Sequence, residues 1–587
     1  MSVHTALRTQ HTFLSKKTVL LPALLLLASL FSLLFANITL STNGFWFLRV
    51  IQLQHSQVYI GPLQIIVSPK EDIIFVITFC ALLLLYFLAV SYLPARISYK
   101  YIFSSTLLLG TFYLFIPIIT SQDIFSYIAY TRMETLYHLN PLTTPPTAIS
   151  GDSIYHFLYW ANQPSIYGPT WVFITGIAQR FALVSGLTHI LFMQFFLRLW
   201  GFIMHLGSLY LVVQLSRQMY LSINGKPYIS PEQQQKLRRA ALAFAWNPFL
   251  LLEACVNAHN DTTILFLVLL ALYFLSSHVT QRMPRSYLLT AALLAVAACL
   301  KITMLVLFPG FLLFLWLRPQ PLLQEKGSRW ISKLPKVFAS TGVFAGIIVL
   351  LYAPFWQNGE LLHILLVTPG TSRDINSIYE SFVRIYAYAK GIYLSPENVD
   401  TGSWIETVSH QVSTVLFVIL YAAFCLRSLF LPRSVNTLPA LIRWLALAWL
   451  LYCFVGSPWF WPWYITTFLG LTAVIEPVQI QEIVASFTPR PFQGKSFNLT
   501  IFSRVISVSM LSIYFFTILA PDAILIPFLP HVRWMYLRGL LAWVPPFLAV
   551  YIAIYLLPRL FRKVDNTTNE DTRECYEPIP EIHSTRN

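Results

Sequence analysis

The chain has 587 residues, of which 56% are hydrophobic and only 11% are charged. Soluble domains carry about 25% charged residues, so this composition excludes an ordinary soluble protein and predicts a polytopic membrane protein. The net charge of +15 does not indicate nucleic-acid binding, because the basic residues lie in short segments between apolar runs, where the positive-inside rule accounts for most of them. We therefore expect membrane lipid, and no nucleic acid, as a partner.

The apolar runs predict an all-α fold, a polytopic bundle of about 14 transmembrane helices, because a helix that crosses a membrane needs about 20 mostly apolar residues. Lys301 and Pro309 interrupt the run at 286–318. The first run follows basic residues but is long and lacks a clear small-residue cleavage site, so we expect an uncleaved span rather than a signal peptide. The predicted spans are 18–38, 72–94, 101–120, 190–215, 238–256, 262–278, 286–303, 304–318, 335–355, 411–431, 438–456, 462–478, 502–520 and 536–557.

The basic residues also predict the orientation. A cytoplasmic N-terminus places basic connections such as 217–239 inside, which predicts a multi-pass cell-membrane protein with both termini cytoplasmic. The apolar stretch 169–186, with its internal Gln179 and Arg180, is expected at or in the outer interface, since a span there would move 217–239 outside. The expected divisions are spans at 1–120, a first outer loop with interfacial helices at 121–189, core spans at 190–478 with an outer loop at 356–410, further spans at 479–557 and a polar cytoplasmic tail at 558–587.

Motifs for nucleotide, metal or disulfide chemistry are missing from the sequence. There is no GxxxxGK[ST] or GxGxxG segment, which argues against an ATP-driven transporter on this chain. The six cysteines show no paired spacing. No ligand spacing predicts a metal site, so no cofactor is assigned. A divalent cation stays open only if the fold brings Asp123 together with His259 and Asp261.

Asp123 directly follows a predicted span and begins a predicted helix at 122–138. A carboxylate there can cap the helix, or it can act as a general base or anchor for an acceptor hydroxyl. The residues leave both roles open. The helix is amphipathic enough to be expected at the membrane interface.

Four polar residues are squeezed between two apolar spans further along the chain. His259 and Asp261 can converge on one ligand there, or Asn260 and Asp261 can simply cap the next helix. Glu253 lies inside the preceding span, and an ionisable residue inside a span is a functional hypothesis by default. The four residues of this polar turn are Asn257, His259, Asn260 and Asp261.

Lys301 lies in the middle of a long apolar region. An unpaired lysine there costs about 2.5–3.5 kcal/mol on insertion scales. It can extend to the outer interface, or it needs an anion, which a phosphate on a lipid would supply.

Two outer segments carry further candidates. Arg373, Arg384 and Lys390 can bind a phosphate or pyrophosphate, or they can form a solvated face with neighbouring acids. The segment GSPWFWPWY at 456–464 is typical of an aromatic belt at the interface, and its alternative role is stacking on a sugar or a polyprenyl chain.

Taken together and in order, these pieces resemble the GT-C superfamily of integral membrane glycosyltransferases, and most closely bacterial polyprenol-phosphate-mannose-dependent α-mannosyltransferases. The resemblance covers roughly 120–465. The chain departs from the family pattern in having no Asp-x-Asp after the third span, so the acid role falls on Asp123 alone, and residues 466–587 carry no recognised motif. The matching pieces are QDIFSYIAYTRMETLYHLNPL, SIYGPTWVF, WNPFLLLEACVNAHND, LKITMLVLFP, YAPFW and PWFWPWY.

The resemblance implies a GT-C-like fold and a transfer reaction. A sugar, expected to be mannose, would pass from a polyprenyl-phosphate donor to an extracytoplasmic glycan or lipid hydroxyl, usually with inversion. Asp123 would be the catalytic residue, acting as a base or as an anchor for the acceptor, and Lys301 would neutralise the leaving phosphate. The residues expected to bind donor or acceptor are Tyr167, His259, Asn260, Asp261, Lys301, Arg373, Trp463 and Tyr464.

Other functions compete with this one. A lipid or oligosaccharide transporter or flippase would need a polar path and ideally two related halves, and the sequence shows no such halves. An oligosaccharide ligase would also work at the outer face but takes its glycan from a lipid pyrophosphate. A purely structural subunit would not explain Lys301 together with two polar outer turns.

Overall fold

The structure, a computed structural model, describes residues 20–32, 69–92, 97–116, 120–224, 229–280, 283–319, 333–367, 374–392, 404–478, 497–514, 525–526, 529–533 and 537–556. The described chain is helical, which confirms the all-α prediction, apart from one short antiparallel pair formed by β1 (Leu525–Ile526) and β2 (Leu529–Arg533). Arg373 and the predicted tail at 558–587 lie outside the described residues.

Eight helices precede the polar turn in the described residues. They are α1 (Leu20–Ser32), α2 (Pro69–Ser91), α3 (Tyr99–Leu114), α4 (Asp123–Thr135), α5 (Pro169–Val184), α6 (Ile190–Asn224), α7 (Pro231–Ala245) and α8 (Pro248–Leu251), which continues as a π-helical turn at Leu252–Val256.

The helices after the polar turn complete the bundle. They are α9 (Asp261–Val279), α10 (Ser286–Ala298), α11 (Phe308–Leu317), α12 (Leu334–Tyr352), α13 (Glu360–Val367), α14 (Ile378–Ala389), α15 (Trp404–Phe430), α16 (Leu438–Leu451), α17 (Ile465–Ile475), α18 (Leu499–Ser509), α19 (Leu511–Tyr514) and α20 (Arg538–Tyr551).

Each predicted span overlaps at least one of these helices, but the lengths of the helices do not establish how many of them cross the membrane. Among the described residues, six helices are long and apolar enough to cross, or seven if α7 and the α8 segment, bent by 44°, form one broken span. Helix α10 has only 13 residues, and at 1.5 Å per residue it is shorter than the roughly 30 Å hydrocarbon core. It ends just before Lys301, whose extended backbone (φ −150°, ψ 113°) precedes a 3₁₀ turn at Ile302–Leu307.

The Asn-Pro piece of the WNPF segment begins the second half of the bent pair. Asn247 is the N-cap of α8 and its side chain accepts a hydrogen bond from the amide of Phe249 at 3.0 Å. Pro248 occupies the first turn, where a missing N–H costs nothing. The cap and the proline together restart the helix in a new direction, and the new direction leads to Glu253 and the polar turn.

Helix α4 is buried among other parts of the protein, and its position at the membrane interface stays a prediction. Ten of its 13 residues are buried, because aromatic and hydroxyl groups on all its sides have partners within the protein. Phe125 stacks on Phe157 with ring centroids 5.1 Å apart, and the Thr131 hydroxyl donates to that of Thr175 on α5. A helix that finds partners all round lies inside the protein rather than at its boundary.

Helix α5 forms where the sequence predicts a helix. Its apolar side chains Ile177, Phe181 and Val184 are exposed, whereas Gln179 is fully buried within the protein. Arg180 pairs with Glu134 on α4. The position of α5 at the outer interface stays a prediction.

An ion pair fixes the first outer loop. Arg132 donates to both oxygens of Asp152, through Nη2 at 2.8 Å and Nε at 3.0 and 3.1 Å, and the Tyr137 hydroxyl adds a third donor at 2.8 Å. Burial alone would raise the pKa of Asp152, but these hydrogen bonds outweigh it and hold that pKa below its usual value. The loop that carries Trp160 and Tyr167 is therefore tied to the end of α4.

The second outer segment is anchored by the C-terminal helix. Glu380 on α14 is buried and accepts from Arg384 at 2.9 Å and from Arg538 on α20 at 2.7 Å. Burial raises the pKa of Glu380, but the two guanidinium groups more than offset this and lower it. The proposed solvated face is thus a buried ion-pair cluster, and Arg384 already has a protein anion. Lys390, at the end of α14, is exposed.

Candidate functional site

The candidate residues between Asp123 and Tyr464 converge in space, except for those of the second outer segment. The Tyr167 hydroxyl donates to Asp123 Oδ2 at 2.8 Å, and the same oxygen lies 3.8 Å from His259 Nδ1. The remaining members of this cluster pack around His259 and Lys301. They are Asn260, Asp261, Trp463 and Tyr464, and all of them are buried.

Asp123 does not act as the helix cap. The N-cap of α4 is Gln122, which makes no side-chain capping bond, and the Asp123 side chain bonds Tyr167 instead. Burial raises the pKa of Asp123 to about 6, although the hydrogen bond from Tyr167 and the charge of Lys301 oppose the rise. A buried carboxylate with a pKa close to neutrality has the properties of a general base.

This raised pKa predicts how activity depends on pH. A general base works in its ionised form, so turnover should be full above the pKa and should fall as pH drops through about 6. We expect kcat/KM to fall about tenfold for each unit below that value, measured from initial rates between pH 4.5 and 8. An acid limb near the ordinary aspartate value of about 4 would contradict Asp123 as the base.

Backbone contacts of the Tyr-Gly-Pro piece hold Tyr167 beside Asp123. The amide of Gly168 donates to the carbonyl of Leu300 at 3.0 Å, and that of Thr170 to the carbonyl of Cys299 at 3.2 Å. A Cβ at position 168 would lie 2.1 Å from the Cys299 oxygen, so only glycine permits this approach. The same contact connects Tyr167 to the residues just before Lys301.

We therefore expect Gly168→Ala to damage the site more than the fold as a whole. The added methyl group must push the segment away from Cys299 and take Tyr167 with it, and a misplacement of about 1 Å can cost about 100-fold in rate. Turnover and thermal stability should be compared with those of Gly151→Ala, because a Cβ at Gly151 in the same loop meets nothing within 4 Å. Equal activity of the two variants would contradict this role of Gly168.

His259 is held from three sides. Its Nδ1 lies 3.2 Å from the Tyr127 hydroxyl, its Nε2 lies 3.5 Å from Glu253 Oε2, and its ring stacks on Trp463 at 3.8 Å between centroids. Burial, and secondarily the charge of Lys301, lower the pKa of His259 well below its usual value. The imidazole is therefore neutral.

Lys301 has a protein carboxylate as its partner. Its Nζ lies 3.0 and 3.3 Å from the two oxygens of Asp261 and 3.3 Å from the centroid of the Tyr464 ring. Asp261 therefore supplies, within the protein, the anion that was expected from a lipid phosphate. The partners are 40 positions apart and meet because Asp261 begins α9 beside the break that follows α10.

The tryptophans of the 456–464 segment form a ladder of ring contacts with residues of the first outer loop. Starting at His259, successive ring centroids along the ladder are 3.8, 4.9, 6.3, 5.4 and 4.7 Å apart. The ladder ends on the first outer loop at Tyr159, whose side chain is 58% exposed. It therefore connects the buried cluster to the surface. Its members after His259 are Trp463, Trp461, Trp459, Trp160 and Tyr159.

Sequence reasoning did not assign several residues that the structure places at the site. Tyr127 lies one helical turn after Asp123, and this spacing was a usable signal because residues four apart share a helix face. Tyr514 donates to Glu253 Oε1 at 2.6 Å, and nothing in the sequence indicates this contact across 261 positions.

The cluster does not form an evident metal site. In the part of the chain that the structure describes, no group of three or more His, Cys, Asp or Glu residues is arranged to hold a metal ion. Asp123 and His259 do come together, but Asp261 is already bound by the Lys301 ammonium group.

The chain matches one protein-family model, that of the MptA_B family, described as alpha-(1->6)-mannopyranosyltransferase, N-terminal domain, over residues 70–318. The match covers somewhat less than half of the chain, and it contains Asp123, His259 and Lys301 but stops before the tryptophans of the 456–464 segment. Among curated proteins, none matches the chain. The family match and the apolar helices support the resemblance drawn from the motifs, and they indicate a membrane mannosyltransferase whose residues 70–318 are similar to the N-terminal domain of the MptA_B family.

Proposed function

We propose that this mannosyltransferase takes mannose from a polyprenyl-phosphate donor and transfers it, with inversion, to an extracytoplasmic glycan or glycolipid hydroxyl. The observation that carries the proposal is the meeting of one carboxylate, Asp123, and one ammonium group, Lys301, in a buried cluster at the ends of apolar helices. The two groups are close enough for the charge of Lys301 to lower the pKa of Asp123. A base and a cation in one cluster are what transfer from a phosphate leaving group requires.

The donor side of the site is inferred from the surroundings of Lys301. Ile302 and Leu305 follow it directly and are 44% and 40% exposed, which suits contact with lipid. An ammonium group has three donors, and within the described residues the Lys301 side chain is hydrogen-bonded only to the Asp261 oxygens. A donor phosphate arriving along the apolar helices can therefore take a remaining N–H while Asp261 keeps Lys301 in place.

Asp123 acts on the hydroxyl group of the acceptor. As the acceptor oxygen forms its bond to C1 of mannose, Asp123 takes the proton of that hydroxyl. The bond between C1 and the phosphate oxygen breaks, and Lys301 stabilises the negative charge that develops on the phosphate. Tyr167 holds the Asp123 carboxylate, and His259, Asn260, Trp463 and Tyr464 are proposed to shape the sugar pocket. The tryptophan ladder offers an approach from the outer loop.

The placement in the membrane belongs to the same proposal. About 14 spans, with both termini cytoplasmic, best fit the distribution of basic residues. The boundaries at 120, 189, 478 and 557 between groups of spans, the first outer loop and the tail follow from this topology. Arg373 is proposed as a further phosphate ligand. The convergence of Asp123, on the first outer loop, with His259, on the polar turn, supports a common extracytoplasmic side.

The experiment that tests the proposal uses the protein in detergent micelles, where no compartments exist. Labelled polyprenyl-phosphate mannose is supplied with a panel of glycan and glycolipid acceptors, and covalent transfer is measured by mass spectrometry. A transporter or flippase forms no glycosidic bond in this assay, and an oligosaccharide ligase requires a lipid pyrophosphate donor instead. Mannosylated acceptor supports the proposal, and its absence with every acceptor would overturn it.

A further inference from the structure

A groove on the surface of the bundle lies at the ends of α11, α12 and α15, away from the site around Asp123. Its volume is about 330 Å³, which is within the range of pockets that hold small molecules. Only apolar side chains line it, so its interior suits a hydrocarbon chain and not a polar ligand. The lining includes Leu312, Leu313 and Trp316 from α11, Val337 from α12, and Leu426 and Leu429 from α15.

The groove lies towards the membrane face opposite to that of Lys301. The segment Ile302–Leu317 is one apolar helix, with six residues in 3₁₀ conformation followed by the ten residues of α11. At about 2.0 and 1.5 Å per residue, it places Arg318 roughly 27 Å from Lys301 along the helix. This length is close to the thickness of the hydrocarbon core, about 30 Å, so the groove is separate from the proposed donor site.

Three basic side chains meet at this end of the groove. Arg318, which directly follows α11, donates through Nη2 to the carbonyl of Val279 at 3.0 Å. Lys333 donates to the carbonyl of Trp316, a residue of the groove, at 2.7 Å. Lys336 lies one helical turn after Lys333, and it is close enough to Arg318 for their positive charges to act on each other. The apolar groove therefore has a cationic end.

Protein acids do not balance the charges of Arg318 and Lys336. Neither residue forms an ion pair in the described part of the chain, and 308–319, 333–352 and 411–437 contain no aspartate or glutamate. Arg318 Nη1 is also buried without a hydrogen-bond acceptor among the residues described. Two neighbouring like charges and an unused charged donor are both unfavourable, and one anion placed between the two side chains would relieve both.

Helix capping and topology explain only part of this arrangement. Arg318 and Lys333 bond to carbonyls at the C-terminal ends of α9 and α11, where cations are favoured. Basic residues on this side also fit the predicted topology. Neither explanation involves the Nη1 donor of Arg318, the approach of Lys336 to Arg318, or the apolar groove beside them.

We propose that the groove binds one anionic phospholipid, whose phosphate lies between Arg318 and Lys336 and whose acyl chain fills the apolar part. A guanidinium group matches the geometry of phosphate oxygens and an ammonium group adds a compact charge, so the two side chains suit this headgroup. Trp316 belongs to both parts of the site, and tryptophan favours the boundary between headgroups and hydrocarbon. Basic pockets between membrane helices are a recurrent type of anionic-lipid site. The proposal does not depend on the transfer reaction.

The test measures lipid binding to the full chain by native mass spectrometry, after purification in detergent and removal of lipid. Phosphatidylglycerol and phosphatidylcholine with identical acyl chains are the probes, because they differ in net charge and not in their tails. Phosphatidylglycerol should bind about 30-fold more tightly, since each of the two basic residues favours an anionic lipid by about fivefold. Equal affinity for the two lipids would overturn the proposal.

Charge-removing variants locate the headgroup. Lys336→Gln should weaken phosphatidylglycerol binding about fivefold, and Arg318→Gln/Lys336→Gln about 30-fold, with phosphatidylcholine binding unchanged. The matched control, Lys100→Gln/Lys236→Gln, removes two positive charges at exposed positions outside the groove and should change neither affinity. If the loss of the bond to Val279 prevents the double variant from folding, Lys336→Gln alone is decisive. Wild-type phosphatidylglycerol binding in Lys336→Gln would contradict the proposal.

The apolar part of the site and its other conceivable occupants are tested in the same assay. Leu312→Trp fills the groove and should weaken the binding of both lipids, because both use the same acyl chain. Inorganic phosphate should not displace phosphatidylglycerol, and neither should polyprenyl phosphate at equal concentration. Displacement by the first would indicate a site for small anions, and displacement by the second would assign the groove to the sugar donor. Either result, or a dimer that forms when lipid is removed, would overturn the proposal.

Discussion

Asp123→Asn lowers turnover by about 100- to 10,000-fold, the range typical of a general base, while leaving the fold almost as stable as before. Asparagine has the same shape and still accepts the hydrogen bond from Tyr167 through its oxygen, but it cannot take a proton. Because Gln122 rather than Asp123 is the N-cap of α4, the change removes no cap. The measurement is the initial rate of transfer at equal amounts of folded protein, with the melting temperature recorded for each sample.

The control for this result is Glu134→Gln on the same helix. Glu134 pairs with Arg180 near the surface, with 22% and 54% of the two side chains exposed, and such exposed pairs contribute little. Its activity should stay within a few-fold of wild type. If Asp123→Asn is equally active, Asp123 has only a packing role and His259 becomes the next candidate for the base.

Lys301→Met should lower the free energy of unfolding by about 3–5 kcal/mol, because it leaves the buried Asp261 carboxylate without its cation. The double variant Lys301→Met/Asp261→Asn removes both charges and should recover most of that stability. Neither variant should bind the phosphate of the donor. Thermal unfolding and titration with polyprenyl phosphate separate the two effects.

The double variant is the informative one because it distinguishes support of the fold from recognition of the donor. Recovered stability with lost phosphate binding means that Lys301 serves both Asp261 and the donor. Phosphate binding equal to that of the wild type would instead make the Lys301–Asp261 pair purely structural and would remove Lys301 from the proposed mechanism.

The sequence predicted the helices well because their signal is local. Apolar runs of helix length, with caps such as Asn247-Pro248, are readable without knowledge of neighbours. The same holds for the candidate residues Asp123, His259 and Lys301, since polar side chains between apolar runs stand out wherever they occur. Their convergence was expected from the family resemblance and not from spacing.

The failures concern contacts between distant segments. The burial of helix α4 was not expected, because its pattern alone does not show that Trp171, Phe157 and Thr175 come from other elements to cover it. A lipid phosphate was expected as the anion of Lys301 because Asp261, 40 positions earlier, had no visible connection to it. The contribution of Tyr514 was missed for the same reason, in a region where no motif was recognised.

The most direct test of the central claim compares two donors on one preparation of the protein. Polyprenyl-phosphate mannose and a nucleotide-linked mannose are supplied separately with the same acceptor, and the rate of mannose transfer is measured for each. The account predicts transfer from the lipid-linked donor, lost in Asp123→Asn, and none from the nucleotide. Transfer from the nucleotide donor alone would contradict it.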